Sequence, residues 1–245
     1  MFLASLPGRV FPAAAVVALA LAPALRAADP PPPGDLESAT AAKTNELRRA
    51  QHLRELRRDP KLDKAAHAYA EYLARSGQFS HEADGRKPWD RTDAAGYERA
   101  YVSENIVWST AEDNPHTDAL ASRFLKSWAE SPGHRRNMLD PDVDDLGVGA
   151  ARAADGKYYA VQLFGIPASK AFEVRVVNKA GQAIAYRMGD QPATLQPNYT
   201  MTHKLVRPTE FALAQPGAGA EPVRREVKAA AQITVRKEGD RFVAE

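Results

Sequence analysis

The apolar residues of this chain change period near Pro141, and that change limits the fold more than any other feature. Upstream, Leu62, Ala65, Ala66, Tyr69 and Leu73 recur at i, i+3, i+4, i+7 and i+11, the spacing of an amphipathic helix. Leu120, Phe124 and Trp128 repeat the pattern at i, i+4 and i+8. Downstream, residues 146–150 and 158–164 read as strands joined by the hairpin signal Asp155-Gly156. Helices followed by a small antiparallel sheet predict an α+β domain.

Local signals fill in the order of elements. A helix is expected over residues 41–58, with Leu47, Ala50, Leu53 and Leu56 on its apolar side. Asp59-Pro60 ends it and caps a second helix running to about Gly77. Residues 78–103 read as a long structured loop with a short helix near Trp89-Asp90-Arg91, a length that points to function. Asn114-Pro115 opens a further helix. Residues 166–170 read as a linker. Beyond it, strands are expected at 172–176, 183–188, 200–206, 226–235 and 241–244, with a flexible tip at 217–219. The expected units are a first domain at 40–166 and a small β-rich domain at 171–245, near the lower size limit for independent folding.

The first 27 residues carry Arg9, an apolar run rich in Ala and Val, and then small residues around Ala27. That is the layout of a secretory signal peptide, with an extended Pro-rich leader over 28–39. The expected mature chain is therefore secreted, periplasmic or in the cell envelope, with no stable membrane span after processing. Without Arg9 and Arg26, the 33 Lys and Arg fall to 31 and balance the 31 Asp and Glu. A neutral chain lacks the basic excess of a nucleic-acid binder. There is no cysteine, so thiol catalysis and thiolate metal sites are excluded, and the fold must rest on its core.

Three separated pieces carry the chemistry. Ser131-Pro132-Gly133-His134 places an imidazole just outside a helix end. His81 lies in a loop after a helix, and Glu104 stands at the mouth of the apolar run Asn105-Ile106-Val107-Trp108. A carboxylate there needs partners, because burying an isolated charge is costly. Two readings stand side by side. His81, Glu104 and His134 either form a hydrogen-bonded cluster that pins loops together, or they hold a divalent cation such as zinc. The other histidines read as surface groups or, for His203, as part of the β-rich domain. The serines sit in no Gly-x-Ser-x-Gly elbow. Asn198-Tyr199-Thr200 matches a glycosylation acceptor. Trp108 and Trp128 read as core residues.

These pieces, in this order, resemble the CAP superfamily of cysteine-rich secretory, antigen 5 and pathogenesis-related 1 proteins, and its bacterial SCP-like branch in particular. The match runs through Asn45-Glu46-Leu47-Arg48, residues 62–70, Ser80-His81, Pro88-Trp89-Asp90-Arg91 with Gly96-Tyr97, Ser103-Glu104-Asn105-Ile106, residues 128–139, Gly147-Val148-Gly149 and residues 158–165. The resemblance implies an α-β-α sandwich with a wide cleft, lined in eukaryotic members by two His and two Glu. His81 and Glu104 are similar to the first of each. Ser131 stands where the second Glu is expected, and Tyr159, ahead of Gln162, stands where the second His is expected. His134 belongs to the bacterial Ser-Pro-Gly-His variant and brings an imidazole from another direction. The cleft residues so implied are His81, Glu104, His134, Ser131, Tyr159 and Gln162.

Three functions follow as expectations. One is a non-catalytic exported protein that binds a small ligand, a lipid or an extracellular protein in the cleft. Another is a metal-dependent hydrolase using His81 and His134 with Glu104 as base. The third is a cell-envelope interaction protein acting through its β-rich part.

Overall fold

The computed structural model describes residues 32–110, 116–217 and 219–245. The expected signal peptide at 1–27 and the Asn114-Pro115 helix start lie outside the described residues. In chain order the first part comprises α1 (Pro33–Ala50), β1 (Arg57–Arg58), α2 (Pro60–Ser76), α3 (Pro88–Ala94), β2 (Arg99–Thr110), α4 (Thr117–Glu130), α5 (Pro132–Met138), β3 (Asp145–Arg152) and β4 (Lys157–Pro167). The sheet order is β1-β3-β4-β2, with β1 parallel to β3 and the other pairs antiparallel.

Strand alternation sends side chains to two helical layers. From β4, Tyr158, Ala160 and Phe164 join Leu36, Leu120, Phe124 and Trp128 on the side of α1 and α4. Tyr159, Val161 and Leu163 join Leu62, Ala66, Tyr69 and Leu73 of α2 on the other side. The chain is thus an α-β-α sandwich in an α+β fold, as expected. Asp59 caps α2 by accepting from the amides of Lys61 and Leu62 at 2.9 and 3.2 Å. Gly77 closes the helix with φ of 69°, a left-handed conformation that glycine adopts without strain.

Several boundaries differ from the sequence reading. The first helix spans Pro33–Ala50, not 41–58, so the expected extended leader at 28–39 gives way to helix from Pro33 onward. Proline fits the first helical turn because its missing N–H would have no helical partner there. The expected loop over 78–103 already becomes β2 at Arg99. Beyond Ser131 the chain forms the short helix α5, so His134 lies on a helix rather than outside one.

After a 3-10 turn at Ala168–Lys170, eight strands follow. They are β5 (Phe172–Asn178), β6 (Ile184–Met188), β7 (Gln191–Leu195), β8 (Thr200–Leu205), β9 (Thr209–Leu213), β10 (Val223–Val227), β11 (Ala231–Glu238) and β12 (Arg241–Ala244). They form two four-stranded sheets, β10-β9-β6-β7 and β12-β11-β5-β8. Val174, Val176, Ile233 and Val235 of one sheet pack with Ile184, Tyr186, Phe211 and Leu213 of the other. The expected single strand at 226–235 is two strands, and β7 and β9 escaped the sequence reading.

One contact inside this sandwich titrates. Tyr186 and His203 meet at 2.7 Å between Oη and Nε2. Burial holds the imidazole below its ordinary pKa and pushes the Tyr186 phenol up to about 12, so the hydroxyl donates to a neutral ring. A histidine with a depressed folded pKa contributes stability above its unfolded pKa, and that stability is lost as pH falls toward the folded value. Acidifying from about pH 7.5 to about pH 5.5 is therefore expected to lower the melting temperature of the wild type more than that of His203→Gln. Equal slopes would show that the pair does not govern acid sensitivity.

Candidate functional site

The site lies where the edge strand β2 meets the loop after α2. Beyond the irregularity at the start of β2, Val102, Glu104 and Ile106 face the α2 layer, whereas Asn105 and Val107 face the α1 and α4 layer. The loop carrying His81 is pinned by tyrosines of α2. The Tyr69 hydroxyl donates to the Ser80 carbonyl and accepts from the Ala83 amide, and Tyr72 donates to the Ala83 carbonyl at 2.9 Å.

The Glu104 side chain is 1% exposed, and both of its oxygens are engaged. Oε1 meets His81 Nδ1 at 2.8 Å, and Oε2 accepts from Arg91 Nη2 at 2.7 Å. Arg91, on α3, is itself buried and donates further to the carbonyls of His81 and Arg86 and to Asp84 Oδ1. Its guanidinium lies 3.4 Å from the centroid of the Tyr69 ring. The expected partnership of His81 with Glu104 is therefore present. The second partner is a cation from α3 that the chemical reading of the sequence did not assign.

His134 approaches from the other side of the strand edge. Its backbone carbonyl accepts from Asn105 Nδ2 at 3.1 Å. Burial lowers the pKa of its ring, and a positive charge on nearby His81 acts in the same direction. The ring makes no hydrogen bond to Glu104 among the described residues. Asn137 on α5 ties this helix to β2 by donating to the Glu104 carbonyl and to Asn105 Oδ1, at 3.2 and 2.9 Å.

The other expected cleft residues separate. Tyr159 shares the Glu104 face and is 5% exposed, with its ring 6.4 Å from that of Phe79. Gln162 is fully buried on the opposite face, donating to Thr44 Oγ1 at 2.7 Å and accepting from Asn105. It is a core polar residue and not a cleft residue, because one step along a strand reverses the face. Ser131 joins α4 to α5 and caps neither through its side chain. Trp108, expected in the core, is 45% exposed and pairs in register with Tyr159, while Trp128 is fully buried. Phe79 thus lies near Tyr159, which pairs across the strands with Trp108, and the rings of Phe79 and Trp108 are exposed.

A resident zinc ion is not well served by these side chains. Glu104 is neutralised by Arg91 at 2.7 Å, and a guanidinium at that distance opposes a second cation. Among the described residues, no group of three or more His, Asp or Glu side chains stands ready to hold a metal. The triad of His81, His134 and Glu104 expected as metal ligands does not assemble as a ligand set.

Comparison with known proteins identifies the family of the first part of the chain. Residues 41–164 match the family model of the cysteine-rich secretory protein family, CAP. That match covers just over half of the chain, and the protein belongs to this family. Among curated relatives, YkwD of Bacillus subtilis, an uncharacterized protein, is 28% identical over 123 residues, 50% of this chain and 44% of YkwD. The chain thus spans less than half the length of that relative. An uncharacterized protein of Borreliella burgdorferi is 28% identical over 121 residues, 49% of this chain and 72% of the relative. Among solved structures, an outer surface protein of Borrelia burgdorferi aligns with 55% of this chain and 93% of its own, at 24% identity and a TM-score of 0.48.

Proposed function

We propose that this is an exported CAP protein that works by binding, taking a small ligand, a lipid or an extracellular protein at the strand-edge cleft beside His81. One observation carries the reading: Glu104, the carboxylate that His81 meets, is buried and spent on Arg91 and His81. A general base must be free to take a proton within hydrogen-bond reach of a substrate, and Glu104 has neither the exposure nor a free oxygen. What faces outward is a half-exposed imidazole and two exposed aromatic rings, Phe79 and Trp108. Aromatic rings give contact area at little conformational cost, and an oriented imidazole gives a directional polar contact.

Export is supported by the basic, apolar and small-residue layout of the first 27 residues. No helix among the described residues is long and apolar enough to cross a membrane.

Two measurements test the reading. Protein purified without chelators should carry far less than one equivalent of zinc. Stoichiometric zinc that disappears in His81→Ala would replace this reading with the metal-dependent one. Trp108 should also report on occupancy when read in a Trp89→Phe background, since Trp89 is the other exposed tryptophan and Trp128 is buried. Titration with fatty acid or phospholipid vesicles is expected to change the tryptophan fluorescence of Trp89→Phe and not of Trp89→Phe/Trp108→Phe. A response that survives in Trp89→Phe/Trp108→Phe would place binding elsewhere.

A further inference from the structure

The β-rich part of the chain reaches across to β2 and to the segment that follows α5, through one side chain. Arg207 lies between β8 and β9. Its guanidinium is bidentate on Asp140, with Nη1 to Oδ1 at 2.8 Å and Nη2 to Oδ2 at 2.6 Å, and Nη1 also reaches Asp142 Oδ2 at 3.1 Å. The same group lies 4.5 Å from the centroid of the Tyr101 ring. Val206 packs beside it against the first core. Tyr101 belongs to β2, three residues before Glu104. Asp140 stands two residues beyond the end of α5, the helix of His134.

The loop that Arg207 grips is held from below as well. The carbonyls of Met138 and Asp140 both accept from Arg48 Nη1, at 2.7 and 2.9 Å. A helix of seven residues has little stability of its own, so its contacts decide where α5 sits. Along its length those contacts join it to β2, through Asn105 on the His134 carbonyl and Asn137 on Glu104 and Asn105. At its end they are Arg48 and the Asp140–Arg207 pair. Isolated surface ion pairs contribute little. This one is a planar fork on a carboxylate that is 12% exposed, stacked on an aromatic ring, a geometry in which such pairs do matter.

We propose that the β-rich part braces the cleft, with Arg207 as a positioning residue that fixes the end of α5 against β2 and so sets where His134 stands relative to His81 and Glu104. The value of that spacing to a ligand rests on the binding function proposed above. The brace itself does not, and it is tested without any ligand.

The experiment uses the full chain and the variants Arg207→Ala, Arg207→Lys, Asp140→Asn and, as control, Arg224→Ala, which removes an exposed pair with Glu210 inside the β-rich part. Amide hydrogen exchange and the imidazole NMR signals of His81 and His134 are read at one pH, together with urea unfolding. In Arg207→Ala, exchange over residues 132–142 should speed up about tenfold and the His134 signal should move, with α2 and β3 unaffected. Asp140→Asn keeps the backbone carbonyl for Arg48 and should give the same local pattern. Arg207→Lys keeps the charge without the fork and should fall between. Arg224→Ala should match the wild type. A folded Arg207→Ala with unchanged exchange at 132–142 would overturn the brace. So would a uniform rise in exchange along the whole chain in both Arg207→Ala and Asp140→Asn, which would make the pair a general stabiliser with no particular hold on α5.

Discussion

Gly149→Ala should leave the first domain unable to close. A methyl group built on Gly149 falls inside contact distance of the Ala66 carbonyl carbon and the His67 amide nitrogen, and one on Gly147 meets the Leu62 backbone in the same way. These neighbours are main chain of α2, so no side chain can rotate away to make room. α2 would have to lift from β3, opening the cluster of Leu62, Ala66, Tyr69, Val161 and Leu163. Overpacking that side chains can absorb costs about 1–3 kcal/mol. A backbone collision belongs at or above the top of that range, against a total stability of about 5–15 kcal/mol. Urea unfolding should show a midpoint lowered by most of its wild-type value, or no folded baseline. Gly133→Ala is the matched control. It meets nothing within 4 Å, lies in a helix, and should be neutral or gain up to about 1 kcal/mol. A Gly149→Ala protein as stable as Gly133→Ala would mean that α2 and β3 do not approach so closely.

The sequence announced α2 because its apolar stripe, its Asp59 cap and its Gly77 stop all agree. α1 was misplaced because the face it buries is largely polar. Thr40, Thr44 and Arg48 are fully buried there, and a search for apolar periodicity passes over such a stripe. Gln162 and Asn105 were legible as polar residues in apolar runs. Their face was not, because it depends on a register that only the sheet defines. β7 and β9 are short strands, β7 carries Pro192 beside exposed positions, and little in them alternates clearly. Trp108 looks like core by composition but lies on an edge strand, where one face stays open.

At the site, the need of Glu104 for partners could be read from the sequence, and His81 was found on that ground. Arg91 carries no comparable signal, although it stands in the stretch Pro88-Trp89-Asp90-Arg91. An arginine one turn into a short helix is usually a surface residue. The available signal was arithmetic: a buried carboxylate facing an imidazole calls for a permanent cation, and Arg91 opens the polar stretch before β2. His134 is expected just outside a helix end and lies on α5 instead. Pro132 was read as a stop after α4, whereas proline after a break also serves as the first residue of a new helix.

Arg91→Ala is the second change with a large expected effect, and it should cost more than loss of the charge it neutralises. Arg91 donates to Glu104, Asp84 and the carbonyls of His81 and Arg86, and it covers the Tyr69 ring. Its removal strands a carboxylate that is 1% exposed, and breaking a buried pair from one side costs about 3–5 kcal/mol. Glu104→Gln should be milder, because an amide still accepts from Arg91 and Asp84 still balances the guanidinium. Combining the two substitutions should recover part of the loss, since a neutral amide no longer needs a cation. Urea unfolding of the wild type, both single variants and the double variant gives the coupling directly. Strict additivity would mean that Arg91 acts through packing on Tyr69 and not through Glu104. With coupling present, the double variant should also free the His81 ring from its fixed partner. Trp108 fluorescence in that folded protein would then report how far binding at the cleft depends on an oriented imidazole.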